Sequence, residues 1–178
     1  QLSTDVGPVI DKEALCMLDE HAARMATEGK LIARATLDPE ATAHGTFFAP
    51  SAWELQSLSQ LTRENFGPAL HVLRWKADEL DQVVDAINAT GFGLTLGVHS
   101  RIDETVERIV KRAKVGNVYV NRNQIGAVVG VQPFGGQGLS GTGPKAGGPH
   151  YLARFATEKT VTINTTAPGG NPSPLPPR

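Results

Sequence analysis

One cysteine, Cys16, is all that 178 residues contain. A single thiol cannot close an internal disulfide and excludes a cysteine-based zinc site, so a reducing compartment is the natural setting. Surplus charge is missing as well. Lys plus Arg total 17 against 18 Asp plus Glu, a net charge of −1. That balance gives no electrostatic reason to expect a nucleic-acid contact or an anionic membrane partner, and no basic block alters it. Nowhere do about 18 apolar residues run together, so no hydrophobic membrane span is expected, and no signal peptide either. The chain opens at Gln1 without methionine and passes straight into LSTDVGPVID, which reads as the middle of a longer protein.

What is present is ordinary for a soluble globular protein: 40% hydrophobic residues and 19 glycines. The length suffices for one compact domain or a large piece of one. Asp11 to Glu28 reads as a helix with Leu15, Leu18, Ala22 and Met25 on one face and Gly29 as its stop. KLIARATL follows as a strand. FFAPSAWEL is extended but interrupted by Pro50, which points to an edge or bent strand. The centre is more regular. ALHVLRW (Ala69 to Trp75) suits a strand. Asp78 can cap a helix carrying Leu80, Val83, Val84 and Ile87, with Gly91 at its end. LTLGVHS is the next strand, and Ser100 to Asp103 has the form of a capping box. It opens a helix with Val106, Ile109, Val110 and Ala113 on its buried stripe, ended by Gly116. NVYVN is a third strand. This β-α-β-α-β order predicts an α/β fold, a three-layer parallel sheet with helices on both faces. Beyond it come a short helix, PHYLARFA, and an alternating strand, EKTVTINTT. The expected division is 1–157 as the main body, 158–166 as a strand and 167–178 as a loose proline-rich tail.

Between Asn121 and Gly148 the chain turns glycine-rich and charge-poor. GQGLSG matches the G-x-G-x-x-G dinucleotide fingerprint letter for letter. That motif works when a strand leads in and a helix leads out towards a pyrophosphate. Here NVYVN ends at Asn121, well before Gly136, and TGPKAGGP is no helix, so the match is discounted. Long ordered loops are often functional, and glycine-flanked amides can hold a carboxylate without a cationic side chain. Phe134 is placed to wall such a pocket. A second candidate is LTRENFGP, where the Glu64 carboxylate suits sugar hydroxyls and the Phe66 ring a flat ligand face; on composition alone a solvated glutamate beside a core phenylalanine is the commoner case. Cys16, mid-helix between Leu15 and Met17, reads as a buried or part-buried structural thiol rather than a nucleophile. Histidines 21, 44, 71, 99 and 150 show no metal-ligand spacing, and no metal site is expected.

Several of these stretches together resemble the aldehyde dehydrogenase superfamily. TRENFGPALHVL looks like its segment beside the nicotinamide riboside, and NVYVN with a loop and PFGG looks like its substrate-side loop. STDVGPVID and EKTVTIN fit its catalytic domain and oligomerisation strand. NRNQIGAVVGVQPFGGQGLSGTGPKAGGPHYLARF narrows the resemblance to the L-glutamate γ-semialdehyde (pyrroline-5-carboxylate) dehydrogenases. It is most similar to the C-terminal part of the form fused to proline dehydrogenase in the bacterial proline utilisation A family. The resemblance implies that the Gly126 and Ala127 amides anchor the α-carboxylate of glutamate semialdehyde, with Phe134 against its aliphatic chain. It further implies that Glu64 binds the nicotinamide ribose of NAD, with Phe66 beside the nicotinamide; FAD belongs only to a fused proline dehydrogenase domain. The partners implied are the remainder of the same dehydrogenase and a homo-oligomer joined through the Thr160–Ile163 strand. The family's nucleophilic cysteine, oxyanion asparagine and general-base glutamate precede STDVGPVID, so this chain carries no catalytic residue and is expected to be inactive by itself. A cytoplasmic location is implied, with peripheral membrane association open for the full-length protein. The alternative is a non-catalytic module that pairs with another subunit through Glu158–Thr166.

Overall fold

The computed structural model describes residues 5–141 and 143–164. Helix α1 spans Lys12–Glu28. The Asp11 carboxylate accepts from the Ala14 amide at 2.7 Å, closing the first turn. At the far end the Gly29 amide donates to the Met25 carbonyl. Leu18, His21 and Met25 make its buried stripe. That phase turns Cys16 to solvent, so the thiol is exposed rather than buried or part-buried as expected.

Three strands stand against this helix: β1 (Lys30–Arg34), β2 (Ser51–Leu55) and β3 (Ala69–Leu73). The order is β1-β2-β3, antiparallel between the first two and parallel between the last two. Of the edge or bent strand expected around Pro50, the edge reading is corrected, because β2 is the central strand. Pro50 precedes it and needs no ladder donor, and its carbonyl accepts from the Ala35 amide at 2.8 Å. Ser51, Trp53 and Leu55 point inward. Trp53 and Leu55 form the core with Leu18, Met25 and Phe48.

Helix α2 (Leu80–Ala89) is entered through a 3₁₀ turn, Ala77–Glu79. Asp78 does not cap it: the Glu79 carboxylate accepts from the Lys76 amide at 3.2 Å instead. Then come β4 (Phe92–Gly93), β5 (Thr95–Val98), α3 (Asp103–Arg112), β6 (Asn117–Val120) and β7 (Gln137–Gly138). The capping box at Ser100 does not form either. Asn121 clasps Ser100, accepting from its amide at 3.0 Å and donating to its carbonyl at 2.9 Å. The Ser100 hydroxyl accepts from Ile102, which becomes the cap with no side-chain bond of its own.

β5 and β6 pair in parallel, as strand–helix–strand order requires, and β4 pairs antiparallel with β7. Among the described residues the strands thus form three separate ladders rather than one continuous sheet. The PHYLARFA helix is a 3₁₀ turn, Leu152–Phe155. Residues 156–164 hold no regular secondary structure and every one is exposed. The expected strand's last two residues and the 167–178 tail lie outside the described residues. No described helix is long and apolar enough to cross a membrane.

The glycine content can be tested at two positions. A Cβ at Gly116 would lie 1.7 Å from the Gly135 carbonyl oxygen, whereas one at Gly126 would meet nothing within 4 Å. Gly116→Ala should cost more than about 3 kcal/mol in urea unfolding, and Gly126→Ala less than about 0.5 kcal/mol. Equal stability of the two variants would contradict the packing described.

Candidate functional site

The turn before β3 presents the first group of candidates. The Gly67 carbonyl accepts from Ala69 and the Pro68 carbonyl from Ser51, which ties the turn to the sheet. Gly67 itself sits so close to Leu18 that a Cβ would fall 2.4 Å from Leu18 Cδ1. Held this way, Glu64 and Phe66 both face outward, and Phe66 is 75% exposed. Phe66 is thus not the core residue that composition favours. A cleft of about 280 Å³ opens here, lined by Glu64 with Thr62, Asn65, His71, Thr90 and Phe92. Glu64 has no hydrogen-bond or ion-pair partner among the described residues. An exposed carboxylate with free acceptor positions fits a ribose; the exposed Phe66 ring follows two residues on, outside the cleft lining.

Beneath the cleft lies a pairing that the sequence does not announce. His21, 2% exposed, and His71 approach Nε2 to Nε2 at 2.8 Å. Arg24 Nη2 is 3.4 Å from His21 Nδ1. A guanidinium only donates, so Nδ1 of His21 must accept and its proton sits on Nε2. His21 then donates to His71, whose own proton is on Nδ1. Arg24 continues the network to the Gln60 carbonyl at 2.8 Å and to Glu28 at 2.9 Å. Trp53 stacks on the His71 ring at a centroid distance of 6.1 Å. Burial lowers the pKa of both rings from the ordinary 6.5, with His71 and Arg24 adding for His21 and Arg24 for His71.

The glycine-rich loop carries the second group. From Asn123 to Pro144 it has no charged side chain. Gln132 folds it back on itself: its Oε1 accepts from the Val128 amide at 3.0 Å and from Arg122 Nη1 at 3.1 Å. Arg122 also donates to the Gly126 carbonyl and lies over the Tyr119 ring at 4.6 Å. The loop's carbonyls at 126 and 128 are thereby engaged. The amides of Gly126 and Ala127 have no acceptor among the described residues. Phe134 is half-buried and exchanges both backbone bonds with Ala146, at 3.0 and 2.9 Å. In GQGLSG the glycines answer to geometry. Gly136 passes too near Ser140 for a Cβ, and Gly138 and Gly141 have φ of +60° and +91°.

The aldehyde dehydrogenase family model matches residues 1–161. The chain belongs to the aldehyde dehydrogenase family. It is 54% identical over 163 residues to the bifunctional protein PutA of Klebsiella aerogenes, covering 89% of this chain and 12% of that protein. It is 38% identical to the 1-pyrroline-5-carboxylate dehydrogenase of Bacillus pumilus, covering 90% of this chain and 31% of that one. Among solved structures, a Bradyrhizobium japonicum proline utilization A variant superposes with a TM-score of 0.85 at 63% identity, over 92% of this chain and 16% of that one. The Thermus 1-pyrroline-5-carboxylate dehydrogenase with bound NAD gives 0.76 at 37% identity, over 87% and 30%. The chain is thus a mixed α/β part of the aldehyde dehydrogenase fold and spans only a fraction of its relatives.

Within this dehydrogenase segment Glu64 and Phe66 share one turn, and Gly126, Ala127 and Phe134 share one loop. No hydrogen bond, ion pair or ring contact joins the two groups among the described residues. Their link is the short β4–β7 ladder, since Phe92 walls the cleft and pairs with Gly138 of the loop. Sequence reasoning missed the histidine pair, whose members are 50 residues apart. It also missed Lys145, although that is the first charge after a long uncharged run.

The histidine pair makes a pH prediction. Below about pH 6.5 the unfolded chain takes up protons that the native rings resist, so stability is full above that pH and falls as acid is added. The thermal midpoint should drop on acidification through this range. His21→Gln with His71→Gln keeps an amide donor and acceptor without titration and should flatten the curve. An undiminished slope in that variant would contradict the assignment.

Proposed function

We propose that this chain is part of an NAD-dependent L-glutamate γ-semialdehyde dehydrogenase and supplies its carboxylate anchor and one wall of its nicotinamide site. The observation that carries the reading is the pair of consecutive amides at Gly126 and Ala127. Both lack an acceptor among the described residues, as do the amides of residues 122–125, 129 and 130, but unlike the exposed residues 123–125, 129 and 130 both are half-buried, in a loop folded back by Gln132 and Arg122. Peptide N–H groups aimed at one point bind a carboxylate by charge-assisted hydrogen bonds, with no cationic side chain to desolvate. The 1-pyrroline-5-carboxylate dehydrogenases that this chain resembles act on a substrate with such a headgroup.

The carboxylate of glutamate semialdehyde then rests on the two amides. Phe134 shields the methylene chain behind it, which keeps water from the reacting end. Glu64 accepts hydrogen bonds from the nicotinamide ribose, and Phe66 limits the sliding of the ring. Glu64 and Phe66 would hold NAD, which would supply the acceptor for the hydride removed from the substrate. The nucleophile and the base come from the remainder of the dehydrogenase. FAD chemistry belongs to a fused proline dehydrogenase domain. The separate ladders of β3 and β5–β6 become parts of one three-layer sheet when that remainder is present. The 158–164 segment, whose Val161 and Ile163 are 67% and 73% exposed, supports the further reading that it pairs with a second subunit.

Two substitutions in the full-length dehydrogenase separate the roles. Phe134→Ala should raise KM for the semialdehyde about tenfold and leave KM for NAD unchanged; Glu64→Gln should do the reverse at similar size. Changes in both constants from each variant, or in neither, would contradict the assignment.

A further inference from the structure

We propose that Lys145 is a positioning residue for the aldehyde side of the site, acting as a tethered ammonium ion that fixes Phe134. The inference rests on the placement of Phe134 beside the substrate chain. Lys145 Nζ donates to the Gly135 carbonyl at 2.8 Å, to Asn117 Oδ1 at 3.1 Å and to the Gly116 carbonyl. An ammonium has three N–H groups, and each finds one oxygen here. None of the three is a carboxylate. The charge is balanced by neutral dipoles, as when backbone carbonyls hold a monovalent cation. Those oxygens would lose a strong donor if the ammonium were removed.

The cage surrounds Phe134 on every backbone side. Asn117 Nδ2 donates to the Pro133 carbonyl at 2.9 Å, and Asn117 Oδ1 accepts from the Gly135 amide at 3.2 Å. Both neighbours of Phe134 are therefore tied to the first residue of β6. Phe134 itself is bridged to Ala146, the residue after Lys145. The absence of a side chain at Gly116 is what lets the Gly135 carbonyl come close enough to share the ammonium. The direction of the ring thus depends on two side chains, Asn117 and Lys145, neither of which need touch substrate. Glu64 and Phe66 make no bond to this cage, so its loss should leave the cofactor side alone.

The test uses the full-length dehydrogenase. Lys145→Ala should raise KM for the semialdehyde about tenfold with KM for NAD unchanged. The deleted atoms match n-propylammonium. That ion should restore the semialdehyde KM, relative to the parent enzyme in the same amine, whereas tetramethylammonium, which has no N–H, should not. Because Lys145 acts through Phe134, the double variant with Phe134→Ala should be no worse than the more damaged single variant. Additive effects, equal rescue by tetramethylammonium, or an unchanged semialdehyde KM in Lys145→Ala would overturn the proposal. If Lys145→Ala does not fold, Lys145→Gln carries the test: a raised semialdehyde KM with normal NAD KM supports it, and two normal constants overturn it. A normal semialdehyde KM in Phe134→Ala alone would instead remove the placement of Phe134, and this inference with it.

Discussion

The close approach of Gly116 to Gly135 is the constraint on which the glycine-rich loop depends. The loop is long, uncharged between Asn123 and Pro144, and has almost no apolar burial of its own: Ile125 and Val129 are 90% and 96% exposed. Hydrophobic collapse therefore does not shape it. It is shaped by a few polar side chains acting on backbone groups. Asn117 and Lys145 secure 133–135 at one end, and Arg122 and Gln132 secure 126–128 at the other. Such devices satisfy selected donors and acceptors and leave others free. Gly126 and Ala127 belong to a run of free donors and, unlike the exposed residues 123–125, are half-buried.

The other half of the site is built by the opposite means. Glu64 and Phe66 ride on a turn pressed against Leu18, the helix α1 residue at the centre of the core. Behind the turn, the His21–His71 pair and Arg24 connect α1, β3 and the Gln60 carbonyl through one chain of hydrogen bonds. On the proposed function, a rigid, packed support suits a cofactor contact that must recur each turnover. On the same proposal, a loop governed by a handful of bonds suits discrimination among aldehydes, because each bond can change without disturbing the core.

Much of the local structure was legible because it follows near-neighbour rules. Asp11 and Gly29 bound α1 as their chemistry requires, and β5 and β6 pair in parallel around α3. The errors have physical causes. Asp78 lost its cap to Glu79, whose longer carboxylate reaches the Lys76 amide. Ser100 lost its capping role because Asn121, from the end of β6, holds its backbone. Pro50 suggested an edge strand, but it stands just outside a strand buried on one face. Cys16 read as part-buried from its apolar neighbours, yet the phase set by Leu18, His21 and Met25 exposes it. Glu64, Phe66 and Phe134 stood out by residue type and took their roles from resemblance; composition favoured a solvated glutamate beside a core phenylalanine, and Glu64 is indeed exposed whereas Phe66 is not in the core. The histidine pair and the Lys145 cage were illegible because their partners meet only in three dimensions.

The most direct measurement is a crystal structure of the full-length dehydrogenase with its product, glutamate, bound. The account predicts the α-carboxylate within about 3 Å of both the Gly126 and Ala127 nitrogens, with the Phe134 ring against the methylenes. A carboxylate held instead by an arginine or lysine elsewhere, with both amides facing water, would contradict it.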